Sequence, residues 1–110
     1  MPAANVQYQV DEKQAMARAA VTLLAHWGVS DVPADSLLDG ASGERTQRAA
    51  VLLGIHAALR QIFPDGDRAS RWVGEKNAAF DGKSALDVMQ ADGLAGMQRV
   101  KAYLNAEVAD

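Results

Sequence analysis

The sequence has no cysteine and only two histidines, and aromatic residues make up just 5% of its 110 positions. Without thiols there is no disulfide, no thiolate nucleophile and no thiolate zinc site, a usage that suits a reducing compartment. The cytoplasm is therefore the expected location. With so few aromatics, the core must be filled by Ala, Leu, Val and Ile, and the abundance of alanine favours closely packed helices over sheets. There is no excess of positive charge either: the formal net charge is −3, which supplies no general attraction for a phosphate backbone or an anionic membrane. No apolar run approaches the roughly 20 residues needed to cross a bilayer. The opening MPAANVQYQVDEKQ lacks the basic-then-apolar order of an export signal, so neither membrane association nor export is expected.

Chemistry-bearing patterns are also missing. His26 and His56 lack the spacing of a metal site. Asp65-Gly66-Asp67 has neither the alternating oxygen ligands nor the terminal glutamate of a calcium loop. Glu12, Glu44, Glu75 and Glu107 lie on separate segments, no nucleophile stands beside a base, and no glycine-rich phosphate loop occurs. The sequence thus predicts no enzyme, no cofactor and no metal.

What is present is a foldable all-α chain: 49% hydrophobic, 23% charged, and of a length suited to one compact unit. Residues 1–10 show no helical period and read as a mobile arm or short extended lead-in. Asp11 offers a cap for a first helix from Glu12 to Trp27, with Ala15, Ala19, Val21, Leu23 and Trp27 in its apolar set, Met16, Ala20 and Leu24 beside them, and Gly28 as its stop. VSDVPADSLLDG fits a short second helix that starts at Ser30 or Asp31 and stops at Gly40. Ser42 can cap a third helix that runs to Pro64. Its middle carries Leu52, Leu53, Ile55, Leu59 and Phe63 on more than one side, so it reads as a spine buried by several partners, with Gly54 marking a close approach.

Asp65 or Asp67 can cap a short helix that contains Ala69, Trp72 and Val73. GEKNAAFDGK then has no period, while Gly74, Asn77 and Gly82 tolerate left-handed backbone. This predicts a structured turn with Phe80 plugging the core and Asn77 bonding backbone amides. Ser84 and Asp87 form a capping-box pattern ahead of Leu86, and a last helix begins near Asp92 or Gly93. The expected architecture is a compact bundle of about five to six helices around a long central helix. It divides into the arm (1–10), an abbreviated helical half (11–41) and a C-terminal unit (42–110).

The run from Leu52 to Ala106 resembles the toxin-binding domain of antitoxins of the Xre/MbcA/ParS group. The features that carry the resemblance are LLGI and AL on the spine, F-P after it, then Trp72, Asn77, Phe80, Gly82, Ser84, Leu86, G-L and V-x-x-Y-L. The resemblance implies a small helical antitoxin that binds a RES-domain toxin, an enzyme that destroys NAD, and blocks its active-site cleft. Docking would fall to Arg99, Lys101, Tyr103 and the tail from Asn105 through Glu107 to Asp110. Two positions depart from the family habit: Ala85 stands where proline is frequent, and the chain closes on acidic AEVAD rather than on a basic, glycine-containing tail.

Members of this group commonly carry a helix-turn-helix before the toxin-binding domain, and AAVTLLAHWGVSDVPADSLLDG is similar to its first two helices. Only ASGERTQR separates Gly40 from the apolar spine, too little for a recognition helix plus a linker. Arg45 and Arg48 are the candidate DNA contacts, and DNA binding by the isolated protein is expected to be weak or absent. The alternative reading is a small helical transcriptional regulator or an oligomerisation module that no longer binds a toxin. Internal packing and a homodimer would both account for the apolar spine.

Overall fold

The computed structural model describes residues 2–29, 37–38 and 44–109, with backbone alone over 2–11. Among them are five helices and one two-stranded ladder. In chain order they are α1 (Pro2–His26), α2 (Arg45–Ile62), α3 (Gly66–Gly74), β1 (Lys76–Asn77), a 3₁₀ turn (Ala78–Phe80), β2 (Lys83–Ser84), α4 (Ala85–Asp92) and α5 (Leu94–Ala109). The all-α architecture around a central helix is as the sequence predicts.

The first helix differs at its start. Residues 1–10 read as a non-helical arm and Asp11 as a cap, yet α1 is already helical at Pro2 and passes through Asp11. Proline suits a first helical position, where its missing N–H is not needed. Further along, α1 buries Ala20, Leu23, Leu24 and Trp27, an i, i+3, i+4, i+7 stripe, whereas Ala15 and Ala19 face outward. The helix ends where Gly28 adopts φ +88°. There the Val29 amide donates to the Leu24 carbonyl at 2.9 Å and the Gly28 amide to the Ala25 carbonyl at 3.0 Å, a glycine stop that also buries Val29.

The predicted second helix lies mainly outside the described residues. Leu37 and Leu38 are described and buried in the core. Ser42, read as the cap of the spine, also lies outside them. The spine itself, α2, begins later than Ser42 implies, at Arg45, with Glu44 in the cap position and no side-chain cap bond.

α2 is packed by α1 on one side and α5 on another, with Ala49, Val51, Leu52, Ile55, Ala58 and Leu59 buried between them. Leu53 and Phe63, expected deep in the core, are only partly buried against it. Gly54 admits the side chain of Lys101 from α5; a Cβ there would lie 2.9 Å from Lys101 Cε. One helical span earlier, a Cβ on Gly93 would lie 2.8 Å from an Arg48 guanidinium nitrogen. Arg48 thus sits near the start of α5 and Gly54 beside its middle, so α2 and α5 run in the same direction.

Candidate functional site

The C-terminal part of the molecule is assembled from short-range devices. Asp65 caps α3 by accepting from the Asp67 amide at 3.0 Å. The Asp-Gly-Asp motif is therefore a helix start. The turn that follows begins with Asn77, whose Oδ1 accepts from the Ala79 amide at 2.9 Å, as the sequence predicts. The left-handed positions, however, are Asp81 (φ 59°) and Gly82 (φ 83°), while Asn77 is extended and paired with Lys83 in the ladder. Gly74, also read as a left-handed candidate, closes α3. Aspartate tolerates the left-handed region better than most residues, which allows the reversal to use Asp81-Gly82.

Ser84 and Asp87 complete a reciprocal capping box: Ser84 Oγ accepts from the Asp87 amide at 3.0 Å and Asp87 Oδ2 from the Ser84 amide at 3.2 Å. This launches α4, whose Ala85, Val88 and Met89 are buried and whose Leu86 packs partly against the core. The backbones of α4 and α5 then meet closely, because a Cβ added to Gly96 would run into the Val88 carbonyl.

Phe80 is 2% exposed and anchors the turn. It meets two other aromatic rings, each from a different helix. Its centroid is 6.3 Å from that of Trp72, edge to face, and 5.3 Å from that of Tyr103 at 65°. Trp72 and Tyr103 stack at 6.1 Å with 10° between their planes. Such offset and edge contacts suit the ring quadrupoles. Arg99, one turn before Tyr103 on α5, donates to the Ala79 carbonyl at 3.3 Å and lies 5.4 Å from the Phe80 centroid. It therefore ties α5 to the turn while remaining exposed.

The expected toxin contacts are distributed around α5. At about 100° per residue, Arg99, Tyr103 and Glu107 fall on the border next to the aromatic turn, with Lys101 and Asn105 on the opposite border. Between them lies the stripe of Met97, Val100 and Leu104 that enters the core. Tyr103 and Lys101 are partly buried, and all residues from Asn105 to Ala109 are exposed. Asp110 lies outside the described residues. The helix is thus anchored as far as Leu104 and free on all sides beyond it.

The two arginines at the start of α2 separate in the same way. Arg48, a candidate DNA contact, is committed internally. It donates to the Leu37 carbonyl at 2.7 Å and pairs with Glu44 at 2.9 Å, its side chain only 11% exposed. Arg45 lines an open groove with α1. Among the described residues no three His, Asp or Glu converge to hold a metal ion, and no helix is long and apolar enough to cross a membrane.

The aromatic turn and the anchored helix fall within a recognisable domain. Residues 58–107 match the family described as the antitoxin Xre/MbcA/ParS C-terminal toxin-binding domain. The match agrees with the resemblance over Leu52–Ala106. The chain is also 38% identical over 64 residues to the uncharacterized protein y4oB of Sinorhizobium fredii, an alignment covering 58% of this chain and 50% of the relative. It therefore spans about half the length of that curated relative. No solved structure matches.

Proposed function

We propose that this protein is an antitoxin whose C-terminal unit, residues 42–110, docks on a cytoplasmic RES-type, NAD-degrading toxin and closes its active-site cleft. In this reading residues 11–41 form an abbreviated helix-turn-helix-like half that supports the unit, and the protein acts as a binding partner with no catalysis of its own. The observation that carries the proposal is the end of α5, held rigidly up to Leu104 and exposed on every side from Asn105 to Ala109, inside a toxin-binding domain family match. A segment already fixed in its bound shape loses little further conformational freedom on insertion into a cleft. Arg99 and Tyr103 would border the inserted end together with the aromatic turn, Asn105, Glu107 and Asp110 would enter, and Lys101 would sit at its base. Arg48 is engaged inside the chain and Arg45 also has an interaction within it, which supports weak or absent DNA binding by the free protein.

The test is co-expression with the product of the adjacent open reading frame. That product should arrest growth and deplete NAD, and this protein should co-purify with it and restore both. Ala106→Arg places a bulky cation on the exposed end without disturbing the core and should abolish rescue, whereas His56→Arg, on the far side of α2, should keep it. An NAD level unaffected by the neighbour, or rescue retained by Ala106→Arg, would defeat this reading.

A further inference from the structure

The chain has two histidines, and they share one cavity. His26, at the end of α1, and His56, in the middle of α2, line a space of about 250 Å³ together with Arg60 from α2 and Asp67 and Ser70 from α3. The buried Leu23 supplies its apolar wall. Arg60 reaches across to the start of α3, where a Cβ on Gly66 would lie 2.5 Å from its guanidinium Nη1. Three helices thus bring their polar side chains to a single place.

These groups are not committed within the chain. Arg48 is bonded to the Leu37 carbonyl, Arg68 to Glu75 and Arg99 to the Ala79 carbonyl. Among the described residues, neither histidine nor Arg60 takes part in a hydrogen bond or ion pair. The start of α3 adds little as a donor, because Asp65 already accepts from the Asp67 amide. Recognition therefore falls to side chains: a guanidinium, two imidazoles and a hydroxyl, opposed by the carboxylate of Asp67. A guanidinium pairs with phosphate oxygens through two parallel bonds, and a protonated imidazole donates from both nitrogens.

The same histidines and Leu23 also line an adjoining cavity of about 390 Å³, whose other walls are Ala19, Thr22 and Leu53. That side has no charged group besides the imidazoles. One end of the seam is cationic, the other weakly polar, and its size is that of small-molecule sites. This combination selects a compact molecule with an anionic head and an apolar body.

We propose that the seam between α1, α2 and α3 binds a phosphomonoester of a small, weakly polar alcohol, its phosphate held by Arg60, His26 and His56 and its body against Ala19 and Leu53. Histidine changes charge between about pH 5 and 8, so affinity for the head rises as pH falls. Among the described residues, the charged groups that face the imidazoles are Arg60 on α2 and Asp67 on α3, and α1 contributes none besides His26 itself. Arg60 and Asp67 cancel while the imidazoles are neutral, and protonation of both leaves a net positive head pocket. The occupant joins α1 to α3, which lies inside the matched domain segment, and binding to the folded chain alone stabilises it. The site is independent of any toxin.

Titration of the isolated full chain, followed by amide NMR shifts at constant ionic strength, tests this. Sulfate keeps both charges while imidazoles titrate, so it should bind roughly tenfold tighter at about pH 6 than at about pH 8. The shifts should centre on residues 23–26, 56–60 and 66–70. Arg60→Gln, at an exposed position, should weaken binding about tenfold at both pH values. His26→Gln/His56→Gln should remove the pH dependence. Asp67→Asn should tighten binding, a gain that a damaged fold would not give. Arg18→Gln, an exposed cation on α1 outside both cavities, should change nothing. Phenyl phosphate should bind several-fold tighter than methyl phosphate, which has the same head without the apolar body. The proposal is overturned by shifts that do not saturate, by sulfate affinity indifferent to pH, or by an Arg18→Gln effect equal to that of Arg60→Gln. Equal affinity for the two esters overturns it as well. NAD rescue is a separate readout, so failure here leaves the antitoxin reading standing, and the reverse holds.

Discussion

Two helix starts in this molecule are built on different principles. At α4, Ser84 and Asp87 satisfy each other's backbone amides, and the preceding turn is fixed by Asn77 from within and by Arg99 from α5. At α2, Glu44 occupies the cap position but makes no cap bond. Its carboxylate is turned to Arg48, which in turn holds the Leu37 carbonyl. The C-terminal region is thus specified locally, residue by residue, while the N-terminal region is held by a side-chain relay and by the apolar stripe of α1. A docking element benefits from the first kind of construction, because its shape is settled before a partner arrives.

The strongest way to break the contrast is Phe80→Ala. The side chain is 2% exposed and meets both Trp72 and Tyr103, so its removal should cost about 3–5 kcal/mol in denaturant unfolding, the usual range for a buried phenylalanine. The Trp72–Tyr103 stack loses its buttress at the same time. If the loss proves smaller than about 1 kcal/mol, the turn is not what fixes the position of α5.

A milder test separates capping from packing. Ser84→Ala removes one half of the capping box and leaves Ala85, Val88 and Met89 in place. It should cost about 1 kcal/mol, within the range for N-cap substitutions. Amide exchange should rise first in the opening turn of α4, with the core of α2 little affected. Uniform loss of protection through the whole chain would show that the two regions unfold as one unit and that the local device has no separate influence.

Much of this construction can be read in the sequence because it is short-range. The capping box, the Asx bond of Asn77 and the glycine stop at Gly28 each depend on residues within a few positions of one another, where spacing is sufficient to predict contact. The aromatic trio is different. Trp72, Phe80 and Tyr103 come from three elements, and only the path of the backbone brings Tyr103 over Trp72. Arg99 illustrates the same limit: its position on α5 marks it as exposed, but nothing local indicates that it reaches the Ala79 carbonyl 20 residues earlier. The N-terminal start was obscured for another reason. NVQYQV carries little helical signal, so the helix there continues from residues further along and from Pro2 at a tolerated position. Arg48 reads in the sequence as a candidate DNA contact because its partner carbonyl, on Leu37, lies in a separate segment.

The smallest expected effect sharpens the comparison most. Glu44 and Ser84 both stand at helix starts, so alanine at each asks whether position or bonding matters. Glu44→Ala removes no cap bond; it removes an i,i+4 pair in which Arg48 keeps its bond to Leu37. The expected cost is therefore only about 0.3–0.5 kcal/mol, the usual worth of such a pair. Salt should reduce that cost but leave the Ser84→Ala cost nearly unchanged, because the first is mainly a charge interaction and the second a geometric one. Parallel urea titrations of the two variants, at low and high sodium chloride, provide the measurement. Should Glu44→Ala cost as much as Ser84→Ala at high salt, the relay through Arg48 to Leu37 would be as strong a device as the capping box, and the distinction between a locally built half and a packed half would fail.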